Sequence, residues 1–128
     1  MTSGIELIHA AAAPAAVGPY SHAVRVGQLL FCSGQIPLDP KTMKLVEGGI
    51  EEQTRQVLAN IGAVLSSQGV DSNAIVRTTL FLADMADFPV VNRIYGEVLG
   101  DHKPARSTVQ VAGMPLGARI EIEVTALL

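Results

Sequence analysis

The chain has 128 residues, the size of one domain, and its charged residues make up 16% against 48% hydrophobic ones, where about 25% charged is ordinary. Nine Lys and Arg set against twelve Asp and Glu leave a net charge of −3, so there is no basic field for a phosphate backbone, and nucleic acid is not an expected partner. No apolar run reaches the roughly 18 residues of a membrane span, so the thin charge and the mean hydropathy of +0.35 point to subunit contact in an oligomer rather than to a membrane.

The first predicted strand covers residues 5–9. The apolar stretch over residues 10–17 is broken by Pro14, preceded by Glu6 and without a Lys or Arg ahead of it, so it reads as a loop rather than a secretory signal, and the expected location is the cytoplasm. After the turn at Gly18-Pro19 a second strand is expected over residues 21–26, a hairpin at Gly27-Gln28, and a buried strand over residues 29–32. Pro37, Pro40 and Gly48-Gly49 mark residues 36–49 as a loop.

Residues 50–68 carry Thr54, Val57, Leu58, Ile61, Val64 and Leu65 at helical spacing, with Glu51 and Glu52 at the positive N-terminal end and Gly69 at the stop. A strand follows over residues 75–82. Asp87 is the expected cap of a second helix, with Pro89 in its first turn and Val91, Ile94, Tyr95 and Val98 on its buried face. Strands over residues 107–111 and 118–127 complete the order βββαβαββ. Two helices cover one face of such a sheet and leave the other open. Alternation puts Ile120, Ile122, Val124 and Ala126 on one side of the last strand and Arg119, Glu121, Glu123 and Thr125 on the other. Arg106, Thr108 and Gln110 share a face of the preceding strand. If the two polar faces coincide, a guanidinium and one or two carboxylates line the open side, where a neighbouring subunit could close a cleft.

Arg106 and Glu121 have two readings. They are a cross-strand or intersubunit ion pair, or the guanidinium fork holds a small organic acid while the carboxylate orients a water. Cys32, in an apolar strand without a basic neighbour, reads as a buried structural thiol, and as the single cysteine it forms no internal disulfide. His9, His22 and His102 lack the short spacing of metal ligands, so no metal is expected. No GxGxxG, P-loop or GxSxG motif points to a nucleotide cofactor or an acyl-transfer serine. Tyr20 either lays its ring over a pocket or fills the core edge. Asn92 is either a solvated amide or a pocket group. Gly34, after Ser33, admits a ligand to the backbone or permits a bend.

Four blocks, Gly18-Pro19-Tyr20, Ser33-Gly34-Gln35-Ile36-Pro37, Val91-Asn92, and Pro104-Ala105-Arg106-Ser107 followed by Ile120-Glu121-Ile122-Glu123, resemble the reactive intermediate deaminase family, also called YjgF or Rid, over nearly the whole chain. The last block is the most specific. The resemblance implies an α+β, chorismate-mutase-like fold, a six-stranded mixed sheet with two helices on one face, assembled as a homotrimer with clefts between subunits. It also implies hydrolysis of enamines such as 2-aminoacrylate, and of 2-imino acids, to 2-keto acids and ammonia, without a cofactor. By that resemblance Arg106 binds the substrate carboxylate, Glu121 positions the attacking water, backbone groups near Gly34 and Thr108 complete the contacts, and Tyr20, Ser33 and Asn92 line the cleft.

Two departures bear on substrate preference. Thr108 stands where many members have cysteine, and Lys103 stands where an aromatic residue often precedes the Pro-Ala-Arg block, in a segment, residues 100–103, a few residues shorter than usual. A lysine there could favour a second carboxylate or be simply solvated. Arg106 alone would equally serve a non-catalytic trimer that binds small carboxylates as a sensor or chaperone-like protein. An endoribonuclease or translation inhibitor, a label carried by some relatives, fits poorly with the acidic balance and the lack of a paired histidine site.

Overall fold

The computed structural model describes residues 4–128. Eight elements follow in chain order: β1 (Ile5–Ile8), β2 (Ala23–Val26), β3 (Leu29–Gln35), α1 (Ile50–Ser67), β4 (Ile75–Leu82), α2 (Phe88–Leu99), β5 (Ala105–Gln110) and β6 (Ile120–Leu127). The strands form one six-stranded sheet in the order β1-β2-β3-β6-β4-β5, antiparallel except for the β4–β5 pair. This is the expected mixed sheet with two helices. Helix α2 is the crossover that a parallel pair requires. The β2–β3 hairpin turns at Gly27, whose φ of 59° suits the first central position of a two-residue turn.

Period-two alternation sorts each strand into two faces. Leu80, Leu82, Ile120 and Ile122 are fully buried beneath Val57 and Val64 of α1 and Val91 and Ile94 of α2, each worth about 1.5–3 kcal/mol by removal from water. The reverse face carries no helix. There Leu29, Phe31, Val109 and Leu127 are each 40–49% exposed. Strand β3 thus alternates rather than being buried throughout, with Leu30 and Cys32 inward and Leu29 and Phe31 outward, and it runs three residues past Cys32. In α2, Leu99 takes the buried place expected of Val98, which is exposed. Asp87 precedes α2 as expected, but its side chain does not cap the helix; its carboxylate accepts from Arg119 Nη2 at 2.7 Å and Nε at 3.2 Å. No helix is long and apolar enough to cross a membrane among the described residues.

Candidate active site

Strand β3 contains a bulge. Cys32 pairs with Val124 and Gln35 with Ile122, so Ser33 and Gly34 together stand opposite Glu123 alone, and the extra residue tilts the strand end locally. The Glu121 carboxylate lies on the bulge. A β-carbon on Gly34 would overlap Glu121 Oε2 and come within 2.9 Å of its Cδ, so the missing side chain is what lets the carboxylate lie here, and close approach rather than φ is the reason for the glycine. Ser33 is held by two bonds, its N–H donating to His22 O at 2.9 Å and its Oγ to Ser21 O at 2.6 Å.

Ser33, Gly34 and Glu121 open into a pocket of about 500 Å³ whose lining includes buried Pro14 and the exposed Tyr20, Val17 and Leu116. Its inner wall includes Ile36 and Leu38. Asn60, buried in α1, donates to the carbonyls of both, at 3.2 and 2.9 Å, and accepts from Gln56 Nε2 at 2.8 Å, so the core helix fixes the long loop against the pocket. Glu121 is half-buried, and among the described residues no group hydrogen-bonds or ion-pairs with its carboxylate. Burial is the main cause that holds its pKa above the ordinary glutamate value, and the neighbouring Glu123 charge adds to it.

Arg106 is elsewhere. On the edge strand β5 it stands in register with Thr78, which is buried and shares a 2.8 Å hydrogen bond with Tyr95 Oη. Its side chain therefore lies on the helix side of the sheet. There Nη1 donates to Asn92 Oδ1 at 2.8 Å, and the guanidinium carbon stands 5.0 Å from the Tyr95 ring centroid and 5.4 Å from that of Phe88. An amide and two aromatic faces preorganise the cation. Thr108, two residues on, shares this face, and its Oγ1 is buried without a partner among the described residues.

The sequence-predicted residues thus fall into two groups. Tyr20, Ser33, Gly34 and Glu121 converge on one pocket, and Arg106, Asn92 and Thr108 gather at the sheet edge on the opposite face. The condition that the polar faces of the last two strands coincide is not met: Glu121 is in register with Phe81 and Arg106 with Thr78, and alternation along β4 sends these positions to opposite sides. Nor do Arg106 and Glu121 pair within the chain. Phe88 and Asn60 are contributors that the sequence reading does not name, and Tyr95, expected only on the buried face of α2, is a third. The four-and-three spacing of Phe88, Asn92 and Tyr95 puts all three on one helical face, and Asn60 sits among the apolar positions of α1, so a signal existed for each.

Cys32 is buried, and desolvation pushes its thiol pKa up to about 12, in keeping with a structural role. His102 bonds the Ile75 carbonyl at 2.7 Å. Among the described residues no three His, Cys, Asp or Glu side chains cluster as a metal site would require.

Residues 10–128 match the family described as Endoribonuclease L-PSP. The chain is 49% identical over 123 residues to Reactive Intermediate Deaminase A, chloroplastic, of Arabidopsis thaliana, covering 96% of this chain and 66% of the plant protein. It is 47% identical over 122 residues to the 2-iminobutanoate/2-iminopropanoate deaminase of Mus musculus, covering 95% and 90% of the two chains. Among solved structures, E. coli TdcF with bound serine superposes with a TM-score of 0.91 at 35% identity, over 96% of this chain and 98% of that one.

Proposed function

Because this chain belongs to the Rid/YjgF family, described as Endoribonuclease L-PSP, we propose that it is an enamine/imine deaminase whose site is shared between copies of the chain. The name of the mouse relative supports 2-imino acids of the iminobutanoate and iminopropanoate type as substrates, and the bound serine of TdcF supports a site sized for a small amino-acid-like molecule. The observation that carries the reading is the pair of prepared half-sites: a guanidinium fixed by Asn92, Phe88 and Tyr95, and an unpaired, half-buried carboxylate over Gly34.

Neither half suffices alone. The proposed active assembly is a homotrimer in which one copy's edge strand β5 brings Arg106 to a neighbour's Glu121 pocket. The helix-free face, with Leu29, Phe31, Val109 and Leu127 exposed, supports such an assembly, since apolar surface of that kind gains from burial against a second copy.

In this reading Arg106 grips the substrate carboxylate with two of the N–H groups that Asn92 leaves unused. An enamine first takes a proton from solvent at its terminal carbon to become the iminium. Glu121 orients a water whose oxygen bonds to the iminium carbon while one water proton passes to the carboxylate. Glu121 returns that proton to the amino nitrogen of the resulting carbinolamine. The C–N bond then breaks, the hydroxyl becomes the keto oxygen, and its proton leaves with ammonia as ammonium. Burial serves this exchange, because a raised carboxyl pKa makes Glu121 a better proton acceptor. The test generates 2-imino acids with an amino-acid oxidase or a serine dehydratase and follows their decay. Acceleration by the protein is expected, and no acceleration across a panel of imino acids would reject the reading in favour of a carboxylate-binding protein.

A further inference from the structure

The segment over residues 10–17 belongs to no strand or helix, yet Pro14, Ala15 and Val17 form one wall of the pocket. Among the described residues its own backbone supplies one hydrogen bond, from Ala13 N–H to Ala10 O at 3.2 Å. A single side chain supplies two more. Ala10 N–H donates to His22 Nδ1 at 2.7 Å, and His22 Nε2–H donates to Pro14 O at 2.7 Å. An amide N–H only donates and a carbonyl only accepts, so the two bonds together select the neutral imidazole with its proton on Nε2. The residue is 3% exposed. Its own backbone is part of the site, for the His22 carbonyl accepts from Ser33 N–H.

Taking the pocket as the substrate site proposed above, we infer that His22 is a positioning residue: its neutral imidazole pins Ala10 and Pro14 and so holds the Pro14, Ala15 and Val17 wall in place. The role needs the neutral ring, since a second proton would remove the acceptor for Ala10 N–H and set two donors face to face. Among the described residues the surroundings offer no carboxylate to a charged ring. The cavity beside the ring is lined by alanines and by His9, whose ring centroid is 5.8 Å away and which is the one other titratable group in that lining. On the adjoining strands Ala23 faces Cys32, a thiol kept neutral by burial. A glutamine at the position keeps one acceptor and one donor but does not titrate.

The test compares the wild type with His22→Ala and His22→Gln at a single pH near neutrality. It measures kcat and KM for imine hydrolysis, and calorimetric affinity for 2-oxobutanoate as a readout that needs no turnover. His22→Ala is expected to raise KM and weaken 2-oxobutanoate binding about tenfold, the equivalent of a buried hydrogen bond left unmade, with a smaller change in kcat. His22→Gln restores affinity, because its amide supplies the same acceptor and donor. Nuclear magnetic resonance of the wild type covers the case in which His22→Ala fails to fold: the Ala10 amide is expected to be protected from exchange and the ring to carry its proton on Nε2. Unchanged affinity in a folded His22→Ala, an unprotected Ala10 amide, or a ring with its proton on Nδ1 would overturn the inference. Absence of imine hydrolysis with these affinity and exchange results intact would reject the deaminase reading and leave the role of His22 standing.

Discussion

Arg106 and Glu121 project from opposite faces of one sheet, Arg106 in register with Thr78 on the helix side and Glu121 with Phe81 on the open side. A substrate that needs both must therefore bridge two copies of the chain, which predicts complementation. Arg106→Ala and Glu121→Ala are each expected to be inactive as pure oligomers. Unfolded and refolded together in equal amounts, they regain activity, because a cleft drawing its arginine from one variant and its glutamate from the other is intact. Random assembly makes about a quarter of the clefts so. A mixture as inactive as its parents, with mixed oligomers verified by mass spectrometry, would place the two residues in separate functions.

The two variants are also expected to fail differently. Arg106 holds the carboxylate in both the ground state and the transition state, so its loss appears chiefly as a raised KM, and Asn92→Ala, which frees the guanidinium, is a weaker copy of the same defect. Removal of Glu121 affects the reacting water and appears chiefly in kcat, by about 10²–10⁴-fold for a proton-transfer group. Steady-state kinetics on one imino acid would check this. Equal effects on kcat from all three variants would contradict the division of labour.

The residues alone settle the face on which Glu121 stands and leave that of Arg106 open. The buried series Ile120, Ile122, Val124 and Ala126 identifies the inner face of β6 unaided, because every second residue is apolar. In β5 the alternating sets are Arg106, Thr108 and Gln110 against Ser107 and Val109, neither of them a clear core face, since β5 is an edge strand. Its orientation is decided by the parallel register with β4, a long-range pairing that no local pattern encodes. The bulge at Ser33 and Gly34 was hidden for a similar reason. It exists only relative to the partner strand. The helices, by contrast, were legible nearly to the residue, since their faces repeat over several turns.

Glu121 carries a pH prediction with a definite sign. Burial, and secondarily Glu123, raise its folded pKa above the ordinary 4.5. A carboxyl with a raised folded pKa favours the folded state fully at pH below the unfolded value, and that contribution is lost as pH rises through the folded value. Glu121→Gln is therefore expected to have a higher melting temperature than the wild type at neutral pH, the gap closing in acid, while kcat falls. In the wild type kcat declines as pH drops through the raised value, and Glu123→Gln moves that decline to lower pH. A lower melting temperature for Glu121→Gln at neutral pH would mean that the neighbouring copy's Arg106 stabilises the carboxylate by more than burial penalises it.

Cys32 should be chemically silent. Its thiol is buried on the inner face of β3 with a pKa pushed up to about 12, so the thiolate fraction at neutral pH is negligible. Native protein is expected to resist a disulfide reagent that titrates one thiol in denaturant, and Cys32→Ala is expected to retain activity with some loss of stability from the small cavity. Rapid labelling of the native protein, or abolished turnover in a folded Cys32→Ala variant, would assign the thiol a role that its burial argues against.

Gly34 provides a way to move the Glu121 carboxylate without altering its chemistry. A β-carbon there overlaps Glu121 Oε2, the mobile end of a side chain, while the glycine backbone is not among the positive-φ positions. Gly34→Ala therefore costs the fold little, because the carboxylate can swing aside, yet it displaces the group proposed to hold the water. A displacement of about 1 Å at such a group can cost on the order of a hundredfold in rate. The expected variant melts within a few degrees of the wild type, keeps its affinity for a 2-keto acid held by Arg106, and loses most of its kcat. Full activity in Gly34→Ala would mean that the carboxylate need not lie against the bulge during turnover, and that the close approach of Glu121 to Gly34 is packing alone.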